Sequence, residues 1–195
     1  MSKQRQTNMH LDELWQIYAR NGEAIPGAGW ESALGNPEKN DSDKIVGIAI
    51  VFLYRKREDG GLDLLWQKRS DKIDRYPGYY DISAGGHINL GESVVDAAIR
   101  ECHEEIGAEI TADDLEYGLM QPFNVNRFAW IYFVDWTGRE DDFHFNDQEV
   151  SEVKWVPYEE TSEFVANYAK PPLAKDKVAF ILIDDWLRMH GYIQD

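Results

Sequence analysis

Three glutamates near the end of one predicted helix have a spacing that suits metal chemistry. Glu101, Glu104 and Glu105 stand at positions i, i+3 and i+4, so their side chains share one helix face. Like charges there destabilise the helix, and anions are further disfavoured near a helix C-terminus. A hard divalent cation bound through oxygen would resolve both conflicts, and it would also suit a phosphate substrate. A solvated acidic face explains the same residues, so the spacing alone leaves both interpretations open.

The residues that precede these glutamates favour a site. Gly86 has no side chain, so the backbone there can approach a ligand closely or place its carbonyl on a metal. Glu92 and Arg100 are eight residues apart and are predicted to pair across the junction of loop and helix, which would fix the loop. The three glutamates violate the charge preferences of a helix, and such violations are expected at functional sites.

Residues 86–108 resemble the Nudix box, G-x5-E-x7-R-E-U-x-E-E-x-G-U, in which U is aliphatic. All seven fixed positions match, and the small apolar residues Cys102 and Ala108 fill the aliphatic positions. The resemblance implies a hydrolase that depends on Mg²⁺ or Mn²⁺. Its expected substrate is a nucleoside diphosphate linked to another moiety, and its expected reaction is attack of water on phosphorus.

The resemblance also implies roles for individual residues. The metal ligands and catalytic acids are then Glu101, Glu104 and Glu105, with the Gly86 carbonyl as a further metal ligand. Glu92 and Arg100 become a supporting pair. Glu149, at the start of a later predicted strand, is the candidate for an additional catalytic acid, either as a ligand or as the general base. An ordinary surface acid beside a strand is the alternative for Glu149.

The stretch upstream of the box, "LLWQKRSDKIDRYPGYYDISAGGH", is similar to isopentenyl-diphosphate isomerases and to isomerase-like Nudix hydrolases. The similarity to those hydrolases covers roughly residues 13–157. Isomerases carry a catalytic cysteine just before the Gly-His pair, where this chain has Gly85, and Cys102 lies within the helix. Isomerases also lack the complete acidic triad that this chain has. Hydrolysis is therefore favoured, with an isomerase or a catalytically silent nucleotide-binding module as alternatives.

Four residues are candidate contacts to the substrate: Arg69, Tyr80, His87 and Phe123. Arg69 would meet a diphosphate in an otherwise acidic chain. Tyr80 and Phe123 offer rings on which a base could stack, although aromatic residues more often pack in cores and interfaces. His87 matches a metal-binding histidine of the isomerases. A structural, hydrogen-bonding role is the alternative for His87, because a lone histidine lacks the ligand cluster of a dedicated site.

A mixed sheet is predicted to position these residues. "KIVGIAIVFLYRK" (44–56) has the continuous apolar pattern of a strand buried on both faces, and residues 62–70 return as the second strand of a hairpin. The acidic helix is predicted from about Ser93 to Ile106, ending at Gly107. The later elements are predicted as strands in 115–124, 127–138 and 149–157, and as helices at about 158–168 and 175–190. This order predicts an α/β class fold, a Nudix-like α/β/α sandwich with a mixed β-sheet.

An N-terminal arm or hairpin with its linker is predicted over residues 1–40, followed by a Nudix hydrolase domain over 41–195. The Asn21-Gly22 pair between two short apolar segments predicts a hairpin, and a helix over 11–19 is nearly as well supported. Residues 27–43 are rich in turn-forming residues and are predicted to be the linker.

The composition limits the possible partners. A net charge of −16 would repel an extended nucleic acid, but a small diphosphate held through metal ions stays possible. The longest apolar run is too short to span a bilayer as a helix, and the first residues lack the pattern of a signal peptide. One cysteine permits no intrachain disulfide. We therefore expect a cytoplasmic protein that acts on a small molecule, with a homodimer as one possible assembly.

Overall fold

The computed structural model describes residues 13–32, 44–124, 126–146, 148–170 and 177–193. In these ranges nine strands form one sheet. They are β1 (Leu14–Tyr18), β2 (Ala24–Glu31), β3 (Ile45–Lys56), β4 (Leu62–Arg69), β5 (Tyr80–Asp81), β6 (Ala84–His87), β7 (Glu116–Asn124), β8 (Arg127–Asp135) and β9 (Val150–Pro157). The helices are α1 (Val94–Ile106), α2 (Thr161–Tyr168) and α3 (Lys177–Met189). Within these ranges no helix is both long and apolar enough to cross a membrane.

Strand β3 is the centre of the sheet and makes it mixed. One edge of β3 pairs in parallel with β8 from Val46 to Tyr54. The other edge pairs antiparallel with β1, β6 and β4 in turn. Because both edges and both faces are covered, the residues from Ile45 to Tyr54 are all buried. The uninterrupted apolar sequence of this segment predicts that burial correctly.

Helices cover both faces of the sheet. Alternate residues of β3 point in opposite directions, so Ala49, Val51 and Leu53 pack in the cluster that includes α1. Ile50 and Phe52 pack in a second cluster, which includes residues of α2 and α3. The predicted α/β/α sandwich is therefore confirmed. Helix α1 lies against the sheet with its apolar face, and this contact sets the direction of its acidic residues.

The N-terminal residues form the predicted hairpin rather than a helix. Strands β1 and β2 pair antiparallel around the Asn21-Gly22 turn, and Gly22 has a φ of 84°. The prediction of a linker was wrong for residues 27–31, because β2 continues to Glu31. Pro26 and Gly27 disfavour most strands but are tolerated here, since β2 is at the edge of the sheet. Residues 33–43 of the predicted linker and the first twelve residues lie outside the described residues.

Two short strands were not predicted. One of them, β6, places Gly85 and Gly86 next to α1. Strand β6 pairs with residues 48–51 of β3, which places Gly85 and Gly86 beside the centre of the sheet. Its sequence, "AGGH", has little intrinsic strand preference, so the strand depends on this pairing. Strand β5 consists of two residues and pairs with Gln67 and Lys68 of β4. The other predicted strands and helices are present, with ends that differ by a few residues.

Candidate metal centre and active site

Helix α1 presents its three glutamates at two different depths. The Ser93 hydroxyl accepts a hydrogen bond from the Asp96 amide at the start of the helix, and Gly107 ends it in a left-handed conformation with a φ of 66°. Glu101 and Glu105 are buried against the sheet, with 9% and 5% of their surface exposed. The side chain of Glu104 is 42% exposed. The i, i+4 pair therefore faces inward, while Glu104 stands at the edge of the site.

Arg100 joins the box loop to the acidic face. Its guanidinium donates to both carboxylate oxygens of Glu92, with Nε at 2.8 Å from Oε1 and Nη2 at 3.1 Å from Oε2. Nη1 donates to Glu101 at 2.8 Å and to Glu104 at 3.0 Å. Nη2 also donates to the carbonyl of His87 at 2.9 Å. The predicted pair of Glu92 and Arg100 is thus present, and the same cation offsets part of the repulsion between the helix glutamates.

Burial leaves Glu101 with an unusual affinity for protons. It raises the pKa of the Glu101 carboxyl to about 7, although the positive charge of Arg100 opposes the shift. The charge of Glu104 acts in the same direction as burial. Arg100 alone therefore does not stabilise the ionised form of Glu101 to the extent that water would.

Glu105 is held by two neutral donors from different strands. The side-chain amide of Gln67 donates to Oε2 at 3.0 Å, and the backbone N–H of Gly85 donates to the same oxygen at 2.8 Å. Both contacts are short and largely shielded from water, so they fix the orientation of the carboxylate. Gln67 was missed in the sequence. No sequence signal singled it out, because β4 (LDLLWQKR) also contains Asp63, Lys68 and Arg69, and only the structure shows that Gln67 is buried with a partner.

Gly86 lies directly against the Glu101 carboxylate. A Cβ atom at position 86 would be 2.2 Å from Glu101 Oε1 and 2.5 Å from Cδ, which no side chain could occupy without displacing the carboxylate. Only glycine therefore lets the backbone of β6 and this carboxylate lie side by side. The predicted approach of Gly86 to a ligand or a metal stays a prediction.

The donor set suits a hard cation, but the side chains are not gathered around one point. Within the described ranges, no group of three or more His, Cys, Asp or Glu side chains converges closely enough to hold a metal ion as placed. Glu101 and Glu104 instead direct oxygens to Arg100. Three carboxylates beside a backbone carbonyl offer only oxygen ligands, which fit Mg²⁺ or Mn²⁺. Metal binding would require rotation of flexible glutamate side chains away from Arg100.

Glu149 is partly buried and comes directly before β9. Its carbonyl accepts a hydrogen bond of 2.6 Å from the Ser70 amide. The loop that leads to it passes the end of α1, where the Asn146 side chain donates to the His103 carbonyl at 3.0 Å. The loop is therefore anchored to the acidic helix three residues before Glu149.

His87 is covered by an aromatic ring rather than facing a set of ligands. It stacks on Trp15 with ring centroids 3.5 Å apart and an interplanar angle of 5°. Burial, together with the charge of Arg127, lowers the pKa of His87 to about 3, so the imidazole is neutral. Its Nε2 is shielded from solvent and has no hydrogen-bond partner among the described residues.

The described contacts of Arg69 and Tyr80, two other candidate substrate residues, are with residues outside the acidic face of α1. Arg69 donates to Asp81 at 3.3 Å and to the carbonyl of Arg75 at 3.1 Å. The Tyr80 hydroxyl donates to Glu152 at 2.9 Å, and its ring meets Phe164 edge-on at 4.9 Å. Neither residue contacts a glutamate of α1 in the described part. Phe123 belongs to β7, but its side chain lies outside what the structure describes. The substrate-binding roles stay predictions.

A mixed sheet between helices, with an acidic helix braced by an arginine and held beside two glycines, defines a Nudix-type sandwich. The family model for the NUDIX domain matches residues 43–177. Because this match covers more than half of the chain, the protein belongs to the NUDIX domain family. The division into an arm over 1–40 and a domain over 41–195 stays a prediction.

Two curated relatives with different names each match about half of this chain. Nudix hydrolase 3 from Arabidopsis thaliana is 37% identical over 114 residues, which cover 53% of this chain and 15% of that protein. Isopentenyl-diphosphate Delta-isomerase from Escherichia coli is 33% identical over 99 residues, which cover 47% of this chain and 53% of that protein. The chain thus spans about half or less of the length of these two relatives.

A solved structure agrees with the fold. The crystal structure of DR0079 from Deinococcus radiodurans superposes with a TM-score of 0.64 and 24% identity. The superposition covers 84% of this chain and 96% of that protein. At this identity the likeness establishes the fold alone.

Proposed function

We propose that the protein hydrolyses the diphosphate bond of a nucleoside diphosphate linked to another moiety, using Mg²⁺ or Mn²⁺. The observation that carries this proposal is the contact between Gly86 and the buried carboxylate of Glu101, on a helix face that also holds Glu104 and Glu105. The contact places the backbone of β6 beside a buried carboxylate whose ionised form Arg100 alone does not fully stabilise. It supports a site built from oxygen ligands.

Each residue of the site has a role in this reaction. A divalent cation, when bound, neutralises the diphosphate and lowers the pKa of the attacking water. Glu101, Glu104 and Glu105 would hold that cation through carboxylate oxygens, with the Gly86 carbonyl as a further ligand. Gln67 would keep the Glu105 carboxylate oriented. A carboxylate must also accept the proton of the attacking water. Glu104 and Glu149, which are both partly open to solvent, are the candidates for this step.

The isomerase alternative conflicts with the space around Gly85. A Cβ atom at this position would lie 2.6 Å from the carbonyl oxygen of Ala49 and 2.9 Å from Ile82 Cδ1. A cysteine at position 85 would therefore require the strand pairing of β6 with β3 to shift. Cys102 belongs to α1 and its side chain is fully buried in the core, which raises the pKa of its thiol well above the usual range. The one cysteine of the chain is thus poorly placed to serve as an acid at the substrate.

A substrate panel with Mg²⁺ and Mn²⁺ tests the proposal. It includes nucleoside diphosphate sugars, dinucleotides, CDP-alcohols, nucleoside triphosphates and isoprenoid diphosphates. Release of a nucleoside monophosphate or phosphate supports hydrolysis. Interconversion of C5 diphosphates would instead establish an isomerase, and saturable binding without product would establish a silent binding module.

Matched variants connect the activity to the acidic face. Glu104→Gln and Glu105→Gln are expected to reduce turnover by more than the roughly 10–100-fold typical for a group that only supports a metal ligand. Glu163→Gln, at an exposed glutamate in the first turn of α2, is the control and should leave turnover unchanged. Undiminished turnover in a folded Glu104→Gln or Glu105→Gln variant would refute the assignment.

A further inference from the structure

The N-terminal hairpin, which precedes the residues matched by the family model, pairs with the loop of the Nudix box. This box loop comprises residues 88–92. The backbone N–H of Gln16 donates to the Ile88 carbonyl at 2.8 Å, and the backbone N–H of Leu90 donates to the Leu14 carbonyl at 2.7 Å. Trp15 and Asn89 stand opposite each other as an isolated antiparallel bridge. The box loop is therefore extended into a short ladder whose other strand is β1.

The side chain of Gln16 holds both sides of this ladder. Its Oε1 accepts a hydrogen bond of 3.2 Å from the Gly91 amide in the box loop. Its Nε2 donates to carbonyls of the hairpin itself, at 2.8 Å to Ile17, 2.9 Å to Ile25 and 3.2 Å to Ala28. The pairing of β1 with β2 is irregular between Gln16 and Tyr18, so this amide compensates for ladder hydrogen bonds interrupted there. Gln16 is 4% exposed, which makes these contacts strong.

Trp15 makes a second connection through its ring. It stacks face to face on His87, the residue that directly precedes the box loop. Its indole N–H donates to the Glu13 carboxylate at 3.0 Å, which fixes the ring orientation. The His87 carbonyl accepts a hydrogen bond from Arg100, so the position of His87 also sets the position of the guanidinium.

Hydrogen bonds connect the box loop to the acidic helix α1. The Asn89 amide donates to Glu92 Oε2 at 2.9 Å, and Glu92 in turn receives two hydrogen bonds from Arg100. Arg100 then reaches Glu101 and Glu104. A continuous chain of short contacts thus runs from β1 to the proposed metal ligands.

We infer that the hairpin is part of the metal centre, with Gln16 and Trp15 as positioning residues that hold the box loop for Glu92 and Arg100. This inference rests on the proposed function, because the ligands that it positions are those of the hydrolase. Residues before the family domain therefore contribute to its site. A hairpin that only adds strands to the sheet would affect stability but not metal affinity.

Titration of Mn²⁺ into the full chain, with free Mn²⁺ followed by electron paramagnetic resonance, tests the inference. Trp15→Leu removes the aromatic ring from His87, whereas Trp15→Phe keeps an aromatic ring there and loses the N–H to Glu13 with part of the ring area. Gln16→Met removes every side-chain hydrogen bond at similar volume. Gln121→Met replaces another buried glutamine, on β7, and serves as the control for lost stability.

We expect the dissociation constant for Mn²⁺ to rise about 5–10-fold in Trp15→Leu and Gln16→Met, below the range for direct supporting partners because these residues act through the box loop. Trp15→Phe should stay within about twofold of the unmodified chain, and Gln121→Met should not differ even if it melts earlier. If Gln16→Met does not fold, the Trp15 pair carries the test. An unchanged constant in folded Trp15→Leu would overturn the inference and leave the proposed function standing. No Mn²⁺ binding by the unmodified chain would overturn both.

Discussion

Replacing Gly86 with alanine adds one methyl group directly against the Glu101 carboxylate. The new Cβ would lie 2.2 Å from Oε1, 2.5 Å from Cδ and 2.7 Å from Oε2. The backbone of Gly86 is not in the left-handed region, so alanine brings no conformational strain of its own. The substitution therefore acts on one target, the position of Glu101. It tests whether that carboxylate belongs to the metal centre.

The size of the effect follows from the contact distances. Non-bonded carbon atoms pack at about 3.5 Å, and carbon–oxygen contacts are only slightly shorter, so Glu101 must move by about 1 Å. This displacement would break the 2.8 Å hydrogen bond to Arg100, and the added methyl group would also limit the positions from which the carboxylate could turn toward a cation. A misplacement of 1 Å at a catalytic centre costs about 100-fold in rate, or about 2.7 kcal/mol of activation free energy. Folding stability should fall by about 1.5–3 kcal/mol, because one charge-assisted hydrogen bond is lost.

The assay compares kcat for diphosphate hydrolysis and the Mn²⁺ dissociation constant in Gly86→Ala and in the unmodified chain. Gly118→Ala, on β7, is the matched control because its Cβ would lie 2.7 Å from the Phe133 ring. That variant should melt at a lower temperature while keeping kcat and Mn²⁺ affinity. A Gly86→Ala variant with unchanged kcat and unchanged Mn²⁺ affinity would refute the placement of Glu101 among the ligands.

Two further substitutions address Glu105. Gln67→Met removes the side-chain donor to Oε2, so we expect the Mn²⁺ dissociation constant to rise about 10-fold, and an unchanged constant would contradict a positioning role for Gln67. Glu105→Gln keeps an acceptor for Gln67 and Gly85 but removes one of two like charges on a buried helix face. It should raise the metal-free melting temperature by about 1–2 °C, as about 0.5 kcal/mol does in a protein of this size. Calorimetry with excess chelator that found a fall would contradict the repulsion argument.

The boundaries of α1 were predictable because their signals are local. Ser93 caps the first turn through its own side chain, and Gly107 adopts the left-handed conformation that glycine allows without strain. The spacing of Glu101 and Glu105 then follows from the helix geometry alone. Burial of β3 was predictable for a similar reason, because an uninterrupted apolar run rich in Ile and Val favours a strand covered on both faces.

Elements that depend on distant contacts were not predictable in the same way. Strand β6 has two glycines in four residues and exists because it pairs with β3. Strand β2 contains Pro26 and Gly27 and is tolerated only because it lies at the sheet edge. The contacts of Gln67 with Glu105 and of Trp15 with His87 join residues that are far apart in sequence. No local pattern specifies such pairs, and Gln67 is one of four polar residues in β4, so its position alone did not distinguish it.

The negative charges of α1 are partly compensated by one residue of the box, Arg100. Arg100 shares one nitrogen, Nη1, between Glu101 and Glu104, and uses the rest of its guanidinium for Glu92 and the His87 carbonyl. One arginine therefore braces the loop and offsets the repulsion at the same time. Burial still raises the pKa of Glu101 to about 7, so the electrostatic cost of its ionised form is not fully met. A bound cation would offset the remaining electrostatic free energy of these carboxylates. The unfavourable charge on α1 is therefore consistent with a metal-binding role.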